Sequence, residues 1–129
     1  MDGLTGFDRS LAGLELLEAA GGKARLRLPV SPAVENINHT LHGGAIATLV
    51  DVAGTIAIMS GDRGGRPGVT TDLNVSYFAS GQGTVTAEAV VLKNGRTLAF
   101  VTVDIHRDDG VLVAQGRMTK HMGPSLAHP

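Results

Sequence analysis

At 129 residues, with a net charge of −1 and a pI near 6.5, the chain suits one domain spanning residues 1–129 and offers no basic surface for nucleic acid. The absence of cysteine excludes disulfides, thiolate metal sites and a cysteine nucleophile, and no metal site is expected. Eighteen glycines against four aromatic residues imply a core of Val, Leu, Ile and Ala with closely packed backbones.

The opening residues Met1-Asp2-Gly3-Leu4 lack a basic segment leading into an apolar run, so a soluble, cytoplasmic protein is expected. The ends, about residues 1–6 and 123–129, are expected to fray. A short helix or irregular turn is predicted over residues 7–14. Residues 23–30 alternate strictly, with Ala24, Leu26, Leu28 and Val30 inward and the basic residues outward. Gly21-Gly22 turns this strand back onto one at residues 14–19. Residues 31–41 form a polar loop rich in Asn, Pro and His, and a buried helix follows over residues 43–60, stopped by Gly61. Its apolar stretch of about seventeen residues falls short of a membrane span and reads as a core helix.

Four strands then follow at residues 69–78, 84–92, 97–107 and 111–121, in meander order. Asn94-Gly95 and Asp108-Asp109-Gly110 supply hairpin signals. A strand pair, one long buried helix and four antiparallel strands define an α+β arrangement, a curved antiparallel sheet wrapped around the helix.

Asp51 is the only charged residue between Glu35 and Asp62, and no lysine or arginine lies within a turn or two along the helix. A carboxylate in apolar company costs free energy unless hydrogen bonds hold it or function requires it. Its helix stripe carries Gly44, Ala47, Thr48, Gly54, Thr55 and Ile58, all small but the last, which leaves room for another backbone or a substrate. The helix is expected to be buried nearly all round. The plainer alternative is a buried Asp bonded to a loop.

The segment Asn36-x5-His42-Gly43-Gly44-x6-Asp51 resembles the signature of the hotdog-fold, PaaI-like acyl-CoA thioesterases. Gly68-Val69-Thr70-Thr71-Asp72-Leu73-Asn74-Val75-Ser76-Tyr77, Leu92-Lys93-Asn94-Gly95-Arg96-Thr97-Leu98-Ala99-Phe100 and Ala114-Gln115-Gly116-Arg117-Met118-Thr119-Lys120-His121 extend the likeness. It covers roughly residues 10–123 and is nearest to the small mitochondrial acyl-CoA thioesterases of animals. The resemblance implies the hotdog fold, an acyl-CoA substrate, no cofactor beyond the coenzyme A of that substrate, and a homodimer with shared active sites, doubled to a homotetramer. It implies that the Gly43 N–H polarises the thioester carbonyl, which suits a helix N-terminus rich in unpaired donors. Asp51 would activate water or attack the carbonyl, Asn36 would orient the thioester or water, and His42 would position. Thr70 stands where relatives carry Ser or Thr near the acid.

Coenzyme A phosphates are implied near Lys93, Asn94, Gly95, Arg96 and Thr97, with Tyr77 and His121 in matching blocks as further binding residues. As ordinary residues, His42 would cap the helix, Asn36 would shape a turn, and Lys93, Arg96, Arg117 and Lys120 would be solvated face charges. Met118 stands where some relatives place a polar residue. A hotdog hydratase or dehydratase and a non-catalytic acyl-CoA-binding protein are the alternatives to hydrolysis.

Overall fold

The computed structural model describes residues 6–123, so all but Gly6 and Gly123 of the expected frayed ends lie outside the described residues. A 3-10 helix, Gly6–Ser10, leads through a turn to β1 (Glu15–Ala20) and β2 (Lys23–Pro29). The long helix α1 (Gly43–Gly61) is followed by β3 (Val69–Tyr77), β4 (Thr84–Asn94), β5 (Leu98–Arg107) and β6 (Leu112–His121). Gly21 and Gly22 both take positive φ, 59° and 86°, which matches the twist a two-residue hairpin requires and excludes most side chains there.

The expected alternation in β2 holds: Ala24, Leu26 and Leu28 are buried, and Val30, just beyond the strand, packs partly buried against the same core. They meet Val85, Ala87 and Ala89 of β4 and Ala99, Val101, Val103 and Ile105 of β5 in one core closed by α1. Gly54 on α1 is a place where a side chain would not fit: a Cβ there would stand 2.7 Å from Met118 Cε and 3.0 Å from Val101 Cγ1. Part of the small-residue stripe thus lets the sheet approach the helix, leaving the remainder for the site.

The strands form one antiparallel sheet in the order β1-β2-β4-β5-β6-β3, which corrects the expected meander. Only β4, β5 and β6 meander, while β3 pairs with β6 at the edge. Six residues, 78–83, cross from that edge to β4. At about 3.3 Å per residue they span roughly 20 Å, enough for three inter-strand spacings of about 4.8 Å. Pairing of β2 with β4 fills the place a meander would have given β3.

The Asn94-Gly95 hairpin is present but is not a two-residue turn. Residues 95–97 connect the strands, and the Gly95 N–H donates to Leu98 O at 2.8 Å. Gly95 is not among the glycines of positive φ. α1 has 19 residues, longer than expected, and by length and composition alone it could span a membrane. It packs instead as the core helix, with Leu49, Val50, Ala53, Ala57 and Ile58 fully buried.

Beyond α1, Asp62 anchors the chain's last described residues. Its side chain, 3 % exposed, accepts from Arg66 Nε (3.1 Å) and Nη2 (2.9 Å) and from the Gly64 and Arg66 N–H groups. Arg66 Nη1 in turn donates to the carbonyls of Met122 and Gly123. The Arg66 side-chain bonds hold the Asp62 carboxyl down to about 2, against the opposing push of burial. A carboxyl lowered from its unfolded value of about 3.9 stabilises the fold above that pH and loses its contribution as pH falls toward 2. Asp62→Asn is therefore expected to lower Tm at pH 6, with the wild-type and variant Tm curves converging as the pH approaches 2. Parallel curves would show that this carboxylate does not couple to folding.

Candidate active site

α1 supplies the two ends of the site. His42 caps it: its Nδ1 accepts from the Gly44 N–H at 2.8 Å, and its carbonyl accepts from the Ile46 N–H. Between these, the Gly43 N–H has no acceptor among the described residues. An unpaired donor at a helix N-terminus is suited to a developing oxyanion. Tyr77 of β3 donates its hydroxyl to the Gly43 carbonyl at 2.9 Å and lays its ring beside that glycine.

Asp51 lies two turns along the same helix, where Thr70 Oγ1 donates to Asp51 Oδ1 at 2.8 Å. A β-bulge at Thr71 puts Thr70 there. Thr70 pairs with Lys120 and Asp72 with Thr119, so the extra residue brings Thr70 into phase with the inward row of β3. Thr71 itself donates to the Thr119 carbonyl and faces away from the acid.

Two expectations for Asp51 are corrected. It is only partly buried, on a helix face with Thr48, Thr55 and Met59 that the β3–β6 edge of the sheet covers incompletely. It also has a cationic neighbour, supplied by the sheet rather than by the helix. Lys120, expected to be a solvated face charge, is buried, and its Nζ donates to Thr55 Oγ1 at 2.7 Å. Its signal was its parity: on β6 it shares the inward row with Met118, and Met122 continues that row just beyond the strand. Asp51, Thr55 and Lys120, with Val52, Ile56 and Met59 as apolar wall and Asp8 at the rim, line a hollow of about 360 Å³. A larger hollow of about 590 Å³, between β1 and β2, has its one cation, Arg27, tied to Glu15 and brings no candidate residue together.

The other candidates fall into two groups. Asn36 is committed to its loop: its Oδ1 accepts from the Asn38 and Thr40 N–H groups, and its Nδ2 meets Thr40 Oγ1 at 2.9 Å. Lys93, Asn94, Arg96 and Thr97 are exposed around the partly buried Gly95 at the β4–β5 tip, and neither cation is ion-paired among the described residues. His121 sits beside that tip, paired with Leu98 and Val69. Gly43 with Tyr77, and the tip with His121, stand at opposite ends of β3 and β6. Within one chain, Gly43 and Asp51 are eight residues apart on one helix, which sets them roughly 12 Å apart.

One long helix held against a six-stranded curved antiparallel sheet is the hotdog fold. The family model described as "Thioesterase superfamily" matches residues 38–114, and the chain belongs to that family. The chain is 42 % identical over 120 residues to the human protein named acyl-coenzyme A thioesterase 13, covering 91 % of this chain and 85 % of that one. The mouse protein of the same name is 43 % identical over 121 residues, covering 92 % and 86 %. The crystal structure of zebra fish thioesterase superfamily member 2 superposes with a TM-score of 0.88 at 48 % identity, covering 94 % of this chain and 89 % of that chain.

Proposed function

We propose that the protein hydrolyses the thioester of an acyl- or aryl-acyl-CoA to free acid and coenzyme A. The observation that carries this reading is the placement of Asp51, bonded to Thr70 on a half-open apolar hollow, in a chain so similar to acyl-coenzyme A thioesterases. In the proposed reaction Asp51 acts as general base or as nucleophile, and the Gly43 N–H stabilises the oxyanion. Thr70 fixes the acid, while His42 and Tyr77 hold the helix N-terminus in shape. Asn36 serves by setting the loop that leads into His42. No cofactor is needed beyond the coenzyme of the substrate. The hydratase reading draws no support from His42, whose Nδ1 is occupied by the Gly44 N–H. The test is a hydrolysis screen across acyl-CoA chain lengths and aromatic acyl-CoAs, read by free thiol. No turnover of any member by the folded protein overturns the reading.

The proposal includes a dimer in which each site takes Gly43 from one chain and Asp51 from the other, doubled to a tetramer. It is supported by the roughly 12 Å separation within one helix, because reacting atoms must lie within about 3–3.5 Å of one another. It is further supported by β3, an edge strand that leaves Val69, Leu73 and Tyr77 exposed, with Phe78 exposed just beyond it.

The unpaired cations at the β4–β5 tip are assigned to the coenzyme's phosphates. Replacing Lys93 and Arg96 together with Ala is expected to raise KM for acyl-CoA by about tenfold, on the order of one charge-assisted bond. The effect should be much smaller on an acyl thioester of a short thiol without phosphate. Equal damage to both substrates would assign these residues to structure instead.

A further inference from the structure

Lys120 is 5 % exposed, and none of the roles above uses it. It lies between Thr70 of β3 and Ala99 of β5 in register and reaches across to α1, where Thr55 Oγ1 accepts from Nζ at 2.7 Å. Thr55 is one turn beyond Asp51 on the same helix face. The ammonium carries three donors, and one of them is used here. An apolar side chain of similar length would pack at such a site without the cost of burying a charge. The burial that lowers this lysine's proton affinity from the ordinary 10.5 is opposed by the charge of Asp51.

A carboxylate lining a hollow with an apolar wall faces a specific difficulty in turnover. When an acyl chain fills the hollow and water leaves, desolvation favours the neutral acid, which can neither abstract a proton nor attack. A fixed cation across the hollow offsets that effect. We propose that Lys120 is a positioning residue that keeps Asp51 ionised and correctly turned while the acyl chain occupies the hollow. Thr55 holds the ammonium and Thr70 holds one carboxylate oxygen, so the second oxygen is left for the reaction. The proposal rests on Asp51 being the reacting acid. Besides Asp51 and Lys120, the one titratable group lining the hollow among the described residues is Asp8, from the 3-10 helix. Around Lys120 the neighbouring strands present Thr70 and Ala99, and β6 itself presents Met118, none of which titrates.

The test is the pH dependence of acyl-CoA hydrolysis, measured in an Asp8→Asn background so that Asp51 is the one carboxylate among the described residues lining the hollow. Lys120→Met is expected to move the acid limb of kcat upward by about one pH unit or more, since removing a nearby positive charge raises a carboxyl's pKa. The shift should be larger in kcat than in kcat/KM, because kcat reports the enzyme with the hollow filled. KM should change less than threefold, and the rate lost at low pH should return at higher pH, which a merely structural defect would not allow. Lys120→Arg should restore the limb, and Thr55→Val should shift it the same way by less. A folded Lys120→Met enzyme with an unmoved limb overturns the proposal. If that variant does not fold, an unmoved limb in Thr55→Val overturns it. Asp51→Asn is assayed in parallel: retained activity there defeats the function itself, whereas an inactive Asp51→Asn with an unmoved Lys120→Met limb defeats only the role of Lys120.

Discussion

Asp51→Asn is expected to leave the fold intact and to lower kcat for acyl-CoA hydrolysis by on the order of 10²-fold or more, a barrier increase of about 2.7 kcal/mol. The substitution is nearly isosteric, and the amide oxygen still accepts from Thr70, so the helix and the 2.8 Å contact to β3 have no reason to change. What disappears is the charge and the basic lone pair. Thiol release under substrate saturation measures the effect, and an unchanged Tm shows that stability is not its source. A variant hydrolysing at near the wild-type rate would remove Asp51 from the reaction.

The second large effect concerns the sharing of sites between chains. Asp51→Ala and Gly43→Pro are each expected to abolish activity, and mixing them should restore it. Gly43→Pro removes one N–H and little else. Proline is well suited to the first position of a helix, and His42 already has the extended backbone (φ −62°, ψ 137°) that a following proline demands. A Cβ at residue 43 would meet the Tyr77 ring at 3.6 Å, an ordinary contact. In a mixed dimer one site carries both lesions and the other carries neither, so about half of a wild-type dimer's activity should return in that species. Refolding the two parents together and assaying the isolated mixed dimer decides the matter. Mixed dimers that form and stay inactive would confine the site to one chain.

Much of this architecture was legible in the residues. The alternation of Ala24, Leu26 and Leu28, the Gly21-Gly22 turn and the long apolar helix after His42-Gly43-Gly44 each fell where local physics placed it. Strand neighbours were not legible, because the short connection after Tyr77 is compatible with pairing to β4 or with crossing the sheet to reach it. Asp51 stood out by its isolation, whereas the lysine that lines the same hollow did not. Lys120 is sixty-nine residues away, and a lysine in an amphipathic strand reads as solvated until the sheet's inward row is known. Asn36 shows the opposite case. Its bonds to Asn38 and Thr40 are local, and the polar run around it already suggested a turn.

The edge position of β3 also sets an order of assembly. Among the described residues its one neighbour is β6, and their paired residues are separated by 37 positions at Tyr77–Ala114 and 52 at Val69–His121. A chain emerging from the ribosome can wind α1 and close the β1–β2 hairpin early, but β3 must wait with its backbone unpaired until β6 has followed it. Contacts of such long separation form slowly, and an unpaired strand is a surface on which unfinished chains adhere to one another. The bond from Thr70 to Asp51 is therefore secured only once β6 has been made, so a product truncated before β6 holds the helix and its acid while lacking the geometry that makes the acid useful.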